Sequence, residues 1–195
     1  LIAAEIFLYD AEVLLRSLEE LMERDGKLED YGDQLLPYLV EREKVIEHRL
    51  DGYWRDMGTP DSYHQAHMDL LDGHGLVFDD PAWPILSATP RRLPAFVGAS
   101  AQVETSLLAP GSRVDGQVTR SVVGPDCHIE PGAEVHGCVL LDGVRVITGA
   151  RLRNMVVDSG AVVGGATDLD GAKEDPETGI AVVTAAGALE KPSAD

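Results

Sequence analysis

The chain is 195 residues long, enough for one ordinary domain or two small ones. Sixteen Lys and Arg against 34 Asp and Glu give a formal charge of −18, the wrong sign for a partner of duplex nucleic acid or of an anionic membrane surface. No apolar run approaches the roughly 20 residues of a membrane span, and no basic-then-apolar signal segment opens the chain. Cys127 and Cys138 are too few for a disulfide scaffold, so a reducing, cytoplasmic setting is expected.

Ala3–Tyr9 is a short, mostly apolar run that reads as a buried strand. Asp10 then offers an N-cap, and Val13, Leu14, Leu18, Leu21 and Met22 recur at helical spacing until Gly26 stops the helix. A second helix is expected over Tyr31–Val40 with Leu35, Leu36 and Leu39 inward, and Val45–Leu50 reads as another strand. Thr59 and Pro60 make a cap and first position for a third helix, running to about Leu71 and ending before Gly73. Two strands and three helices cannot close an α/β sheet, so residues 1–80 read as a truncated α/β domain. No glycine-rich phosphate loop occurs among them, because Leu71-Asp72-Gly73-His74-Gly75 ends a helix instead of opening one. Residues 81–95 form a Pro-rich linker.

Beyond it the chain repeats itself. A branched aliphatic stands at 103, 108, 114, 118, 123, 129, 135, 140, 146, 152, 157 and 163, and the residue two places earlier is small or Val at all of these but Met155. The units begin 15, 17 and 17 residues apart. Positions two apart in a strand face the same side, so each short strand sends one small and one bulky residue inward. A three-sided parallel coil over 96–165, stacking at roughly 4.8 Å per coil, satisfies the pattern. Its aliphatics fall short of the cost of ordering the backbone, so a neighbouring domain and a subunit interface are expected to complete it. Residues 166–178 are acidic and read as a loose loop, with Ile180–Val183 as a last strand.

The densest chemistry is Tyr53-Trp54-Arg55-Asp56-Met57-Gly58-Thr59, between a strand and a capped helix, where α/β folds place ligands. Asp56 is suited to hold a divalent cation beside a phosphate, or else to pair with Arg55 at a helix N-terminus. His64 and His67 are packed or solvated for want of a third ligand. His128 and His136 lie near coil corners, where an acyltransferase would place a base, though ordinary outward side chains are the favoured reading. Cys127 and Cys138 fall in the small inward slots and read as structural thiols. Arg91 and Arg92 are candidates to hold a small anionic effector, against the plainer reading of a solvated pair.

In order along the chain come Glu5-Ile-Phe-Leu-Tyr9, Tyr31-Gly-Asp-Gln-Leu-Leu-Pro37, Gly52-Tyr-Trp-Arg-Asp-Met-Gly-Thr59, His67-Met-Asp-Leu-Leu71, Trp83-Pro-Ile85 and the coils. This series resembles the C-terminal portion of the ADP-glucose pyrophosphorylases (glucose-1-phosphate adenylyltransferases), and the coils resemble the hexapeptide-repeat, left-handed parallel β-helix. The resemblance implies α/β plus all-β architecture and the joining of ATP and glucose 1-phosphate with Mg2+, the ATP site lying outside this segment. It implies Asp56 as the metal-holding catalytic carboxylate, and Trp54, Arg55 and Glu5 on the sugar-phosphate side. Ala3-Ala4-Glu5 stands where many members have Ser-Met-Gly. It also implies a homotetramer joined through the β-helix, allosteric control and a place in glycogen synthesis. A non-catalytic regulatory or assembly subunit, another sugar-phosphate nucleotidyltransferase and a hexapeptide acyltransferase are the alternatives.

Overall fold

The computed structural model describes residues 4–75, 77, 80–86, 91–164, 167–171, 179–186 and 189–190. The chain forms two compact units, Leu1–Gly52 and Tyr53–Asp195. In the first, helix α1 spans Ala11–Asp25. The Asp10 carboxylate accepts from the Glu12 and Val13 amides at 3.0 and 3.1 Å, and Gly26, at φ +75°, closes the far end through its N–H to the Met22 carbonyl. Leu21 is fully buried against Leu35, Tyr38 and Leu39, while Met22, expected inward, is exposed.

The second helix is split. Pro37 has no N–H to return to the Asp33 carbonyl, and the chain enters through one wide turn, Tyr31–Leu35, closed from the Leu36 amide to the Tyr31 carbonyl. Helix α2 follows over Leu36–Arg42. Asp30 caps the wide turn through the Gly32 and Asp33 amides. The Tyr38 hydroxyl donates to Glu20, and Arg42 lies 4.6 Å over its ring.

Neither expected strand of this half forms. Among the described residues before Phe96 there is no strand, and helices are the regular elements there. An extended apolar run becomes a strand only beside a partner, and none of those residues supplies one. Ile6, Leu8, Val45 and Ile46 are accordingly exposed, Leu8 completely. No helix of the described residues is long and apolar enough to cross a membrane.

The second unit is a parallel β-solenoid of three faces with one helix packed on it. One face stacks Phe96–Val97, Arg113–Val114, His128–Ile129, Arg145–Val146 and Val162–Val163. The next stacks Gln102–Glu104, Gln117–Thr119, Glu134–His136, Arg151–Arg153 and Asp168–Asp170. The third stacks Leu107–Leu108, Val122–Val123, Val139–Leu140, Met155–Val157 and Ala181–Val183, to which Leu189–Glu190 adds antiparallel. All twelve predicted corner aliphatics lie in or against one core, in register from coil to coil. The small slots fill the same interior, and at Gly116 a Cβ would meet the Ala133 carbonyl oxygen at 2.5 Å.

Asp168–Asp170, expected as loop, is a strand instead. Leu169 stands 17 residues after Leu152 and continues the core, while Arg153 pairs with Asp168 and Asp170 at its edges. Residues 166 and 172–178 of that expected loop lie outside the described residues. The expected last strand is present at Ala181–Val183, parallel to Met155–Val157.

Helix α3, Pro60–Leu71, begins at Thr59, whose hydroxyl accepts from the Ser62 amide while the Ser62 hydroxyl accepts from the Thr59 amide. Its buried Met68 sits among Val139, Val156 and Ile180, with Tyr63 and Leu71 beside it. Three polar ties join helix to coils: His64 Nε2 to the Gly137 carbonyl at 2.6 Å, Arg120 bidentate to Asp72 at 2.6 and 2.7 Å, and the Ile180 amide to Asp61 at 3.1 Å.

Candidate functional site

The segment from Tyr53 to Thr59 lies along α3 and is fixed at both ends. At its start the Tyr53 hydroxyl donates to Asp69 Oδ2 at 2.8 Å, and Arg55 reaches the same oxygen through Nη2 at 2.7 Å and Nε at 3.1 Å. Gln65, one turn earlier on α3, donates to the other oxygen, Asp69 Oδ1, at 2.8 Å. These bonds from Gln65, Tyr53 and Arg55 outweigh desolvation and hold the Asp69 carboxyl below the usual carboxylate range. At its end Asp56 Oδ1 accepts from the Gly58 amide at 2.8 Å, and the Thr59–Ser62 capping box starts the helix. A cleft of about 520 Å³ opens beside it, lined by Arg55, Ser62, His64, Gln65 and Asn154 among others.

Asp56 and Arg55 therefore do not form the expected helix-end pair: Arg55 is bound to Asp69, and Asp56 closes a turn on its own loop. Among the described residues no group of three or more His, Cys, Asp or Glu side chains gathers to hold a metal. Trp54 is 38 % exposed between the anchored Tyr53 and Arg55. Glu5 belongs to the first unit, with backbone in the left-handed region at φ +55°, and acts on Tyr31 there.

The two linker arginines differ. Arg91 is exposed, whereas Arg92 is no solvated side chain: its Nε binds Asp126 at 2.6 Å and its Nη2 approaches Asp142 to 3.5 Å, tying the linker to two successive coils. His64 is held by a backbone carbonyl, and burial depresses its pKa. His67 bonds the Tyr63 carbonyl with its ring on the Tyr63 ring, as expected of a packed histidine. His128 lies 3.5 Å from Asp115 at the solenoid surface, and His136 is exposed. Cys127 and Cys138 are buried in their slots, with thiols pushed up by burial to about 11 and about 12.

Asp69 is the residue that sequence reasoning missed. The available signal was spacing: Tyr53 and Arg55, two apart in an unhelical run, turn to one side, and Gln65 and Asp69 share a helix face. That the run folds back along α3 is a tertiary fact.

Residues 1–73 match the family described as nucleotidyl transferase, and residues 94–187 the one described as GlmU-like, C-terminal hexapeptide. The glucose-1-phosphate adenylyltransferase of Corynebacterium jeikeium is 34 % identical over 175 residues, covering 80 % of this chain and 42 % of that protein. The chain is a relative of the glucose-1-phosphate adenylyltransferases. Proteins of that name from Desulforamulus reducens and Halalkalibacterium halodurans are 33 % and 32 % identical, covering 82 % and 88 % of the chain and 39 % and 45 % of their own lengths. The chain thus spans about two fifths of the adenylyltransferases it matches.

Proposed function

We propose that this chain works as the helical and solenoid portion of a cytoplasmic glucose-1-phosphate adenylyltransferase, an enzyme that joins ATP and glucose 1-phosphate into ADP-glucose and pyrophosphate for α-glucan synthesis. One observation carries the reading: a chain about a third identical to such enzymes over four fifths of its length presents Trp54, Arg55 and Asp56 on a segment anchored at both ends to one helix. In this chemistry a sugar-phosphate oxygen attacks the α-phosphorus of ATP, so the protein's task is alignment and charge neutralisation.

Asp56 is the residue to hold the divalent ion, Mg2+ in this reading. Its Oδ1 is engaged by Gly58, and a single carboxylate suits a cation that is otherwise bound by water and substrate phosphates. When bound, the ion offsets charge on the phosphate oxygens. Trp54 and Arg55 then flank the sugar phosphate, and Glu5 is a further candidate from the first unit. The solenoid supplies a subunit contact in a homotetramer, and Arg91, in preference to the ion-paired Arg92, is the candidate contact for an anionic allosteric effector.

Two assays test this. The purified 195 residues, which contain no glycine-rich phosphate loop, form no ADP-glucose; formation of it refutes the division of labour. A chimera in which this chain replaces the matched region of the C. jeikeium enzyme is active, and Asp56→Asn lowers its turnover on the order of 10². Unchanged turnover in that variant removes the metal role.

A further inference from the structure

We propose that Asp69 is the positioning residue of the Tyr53–Asp56 segment, a carboxylate on a docked helix that sets where Trp54 and Asp56 stand. The inference rests on the proposed function only for what Asp56 does there; the clamp itself is read without substrate. One oxygen, Oδ2, accepts from the Tyr53 hydroxyl and from two nitrogens of Arg55, while Gln65 on the other oxygen stops the carboxylate from rotating. The Asp69 side chain is 13 % exposed against 35 % for Arg55, so the acid is the fixed member and the arginine is brought to it. Its neighbour Met68 is buried in the contact with the solenoid, which makes the platform rigid. Downstream, the Asp56–Gly58 turn and the Thr59–Ser62 box fix the same run to the start of the same helix. Asp56 is thus suspended between two anchors on α3. Displacing such a group by an ångström is enough to weaken alignment-based catalysis.

Trp54 reports the clamp directly. In a Trp83→Phe background, which removes an indole that is already 83 % exposed, Trp54 is the sole indole. Acrylamide quenching of its fluorescence is compared in the full chain with Asp69, Asp69→Asn and Asp69→Glu. Neutralising Asp69 frees the segment and raises the quenching constant by up to roughly 2.5-fold, as Trp54 moves from 38 % exposed toward full exposure. The thermal midpoint of the solenoid holds, and Asp69→Glu returns quenching toward the wild-type value. Equal quenching in Asp69→Asn and wild type overturns the proposal. So does a rise matched by an equal loss of solenoid stability, which makes Asp69 merely structural. If Asp69→Asn does not fold, the double variant Tyr53→Phe, Arg55→Gln breaks the same bonds from the other side and must raise quenching likewise. No metal or substrate enters the measurement, so a failed metal role for Asp56 leaves this test intact.

Discussion

Docking of α3 onto the coils is what places the candidate site on a scaffold, and Met68→Ala tests it. Met68 is 5 % exposed and packs on Val139, Val156 and Ile180. Large-to-small changes of this kind cost about 2–5 kcal/mol. The lower part of that range applies, since Tyr63 and Leu71 beside it are only partly buried and can settle into the gap. A loss of about 2–3 kcal/mol multiplies the opening constant of the helix roughly 30- to 150-fold. Native-state hydrogen exchange reads this residue by residue. The amides of α3 lose protection by that amount, those of Val135–Leu152 in the solenoid interior keep theirs, and Met68→Leu, which conserves volume, costs under about 1.5 kcal/mol. Undiminished α3 protection in Met68→Ala shows that the apolar contact does not hold the helix. Equal losses in helix and coils show that the two unfold together, and the scaffold argument fails.

Two further outcomes follow from buried titratable groups. His64 lies against the Gly137 carbonyl with Arg120, His67 and Asp61 near it, and burial depresses its pKa. The folded state thus disfavours the imidazolium: the stability contributed by neutral His64 is complete above its ordinary pKa of about 6.5 and is lost as pH falls through the depressed value. His64→Gln removes that acid sensitivity of α3 protection, and a wild-type pH profile in the variant contradicts it. The Cys127 and Cys138 thiols, raised to about 11 and about 12, stay unmodified by iodoacetamide at pH 8 in the native chain and react once guanidinium unfolds it; native labelling at the rate of free cysteine refutes their assignment to the core.

The solenoid was legible because its signal is one-dimensional. Each inward residue is set by its place in a unit, so spacing alone locates Val103, Val118, Val135 and Leu152 on one wall. The same ladder runs further than the twelve positions, to Val97 at one end and to Leu169 and Val183 at the other. Leu169 was obscured by the acidic residues beside it, whereas Val183 lies in the strand expected over Ile180–Val183. Helix caps were legible for a like reason, since Asp10, Gly26, Thr59 and Pro60 act on atoms within a few residues. The strands expected over Ala3–Tyr9 and Val45–Leu50 were not, because a strand is a relation between segments and composition describes only one of them. The Asp69 clamp was hidden for the same reason: it links residues 14 and 16 positions apart through a fold-back that no periodicity marks.

A repeat this regular raises the question of what prevents one coil from stacking in another's place, since all twelve corners are Val, Leu or Ile and exchange at little apolar cost. The outward faces supply the discrimination. Arg145 binds Glu130 of the preceding coil, and Glu130 in turn accepts from the Thr148 amide and hydroxyl. Arg151 reaches back to Glu134, Arg153 forward to Asp168 and Asp170, and Arg92 spans Asp126 and Asp142. Each such surface pair contributes little to stability, about 0–1 kcal/mol, but a slip by one coil breaks several together. Steric devices act in the same sense: Gly116 in the short first corner admits no Cβ, and Asn154 packs where a Cβ on Gly137 would strike its side-chain oxygen at 2.6 Å. In a chain with sixteen cations among 34 carboxylates, concentrating arginines between coils gives register to a core that carries none of its own. The Arg120–Asp72 pair extends that device to α3, fixing which corner of the solenoid the helix meets and so where the Tyr53–Thr59 segment is displayed.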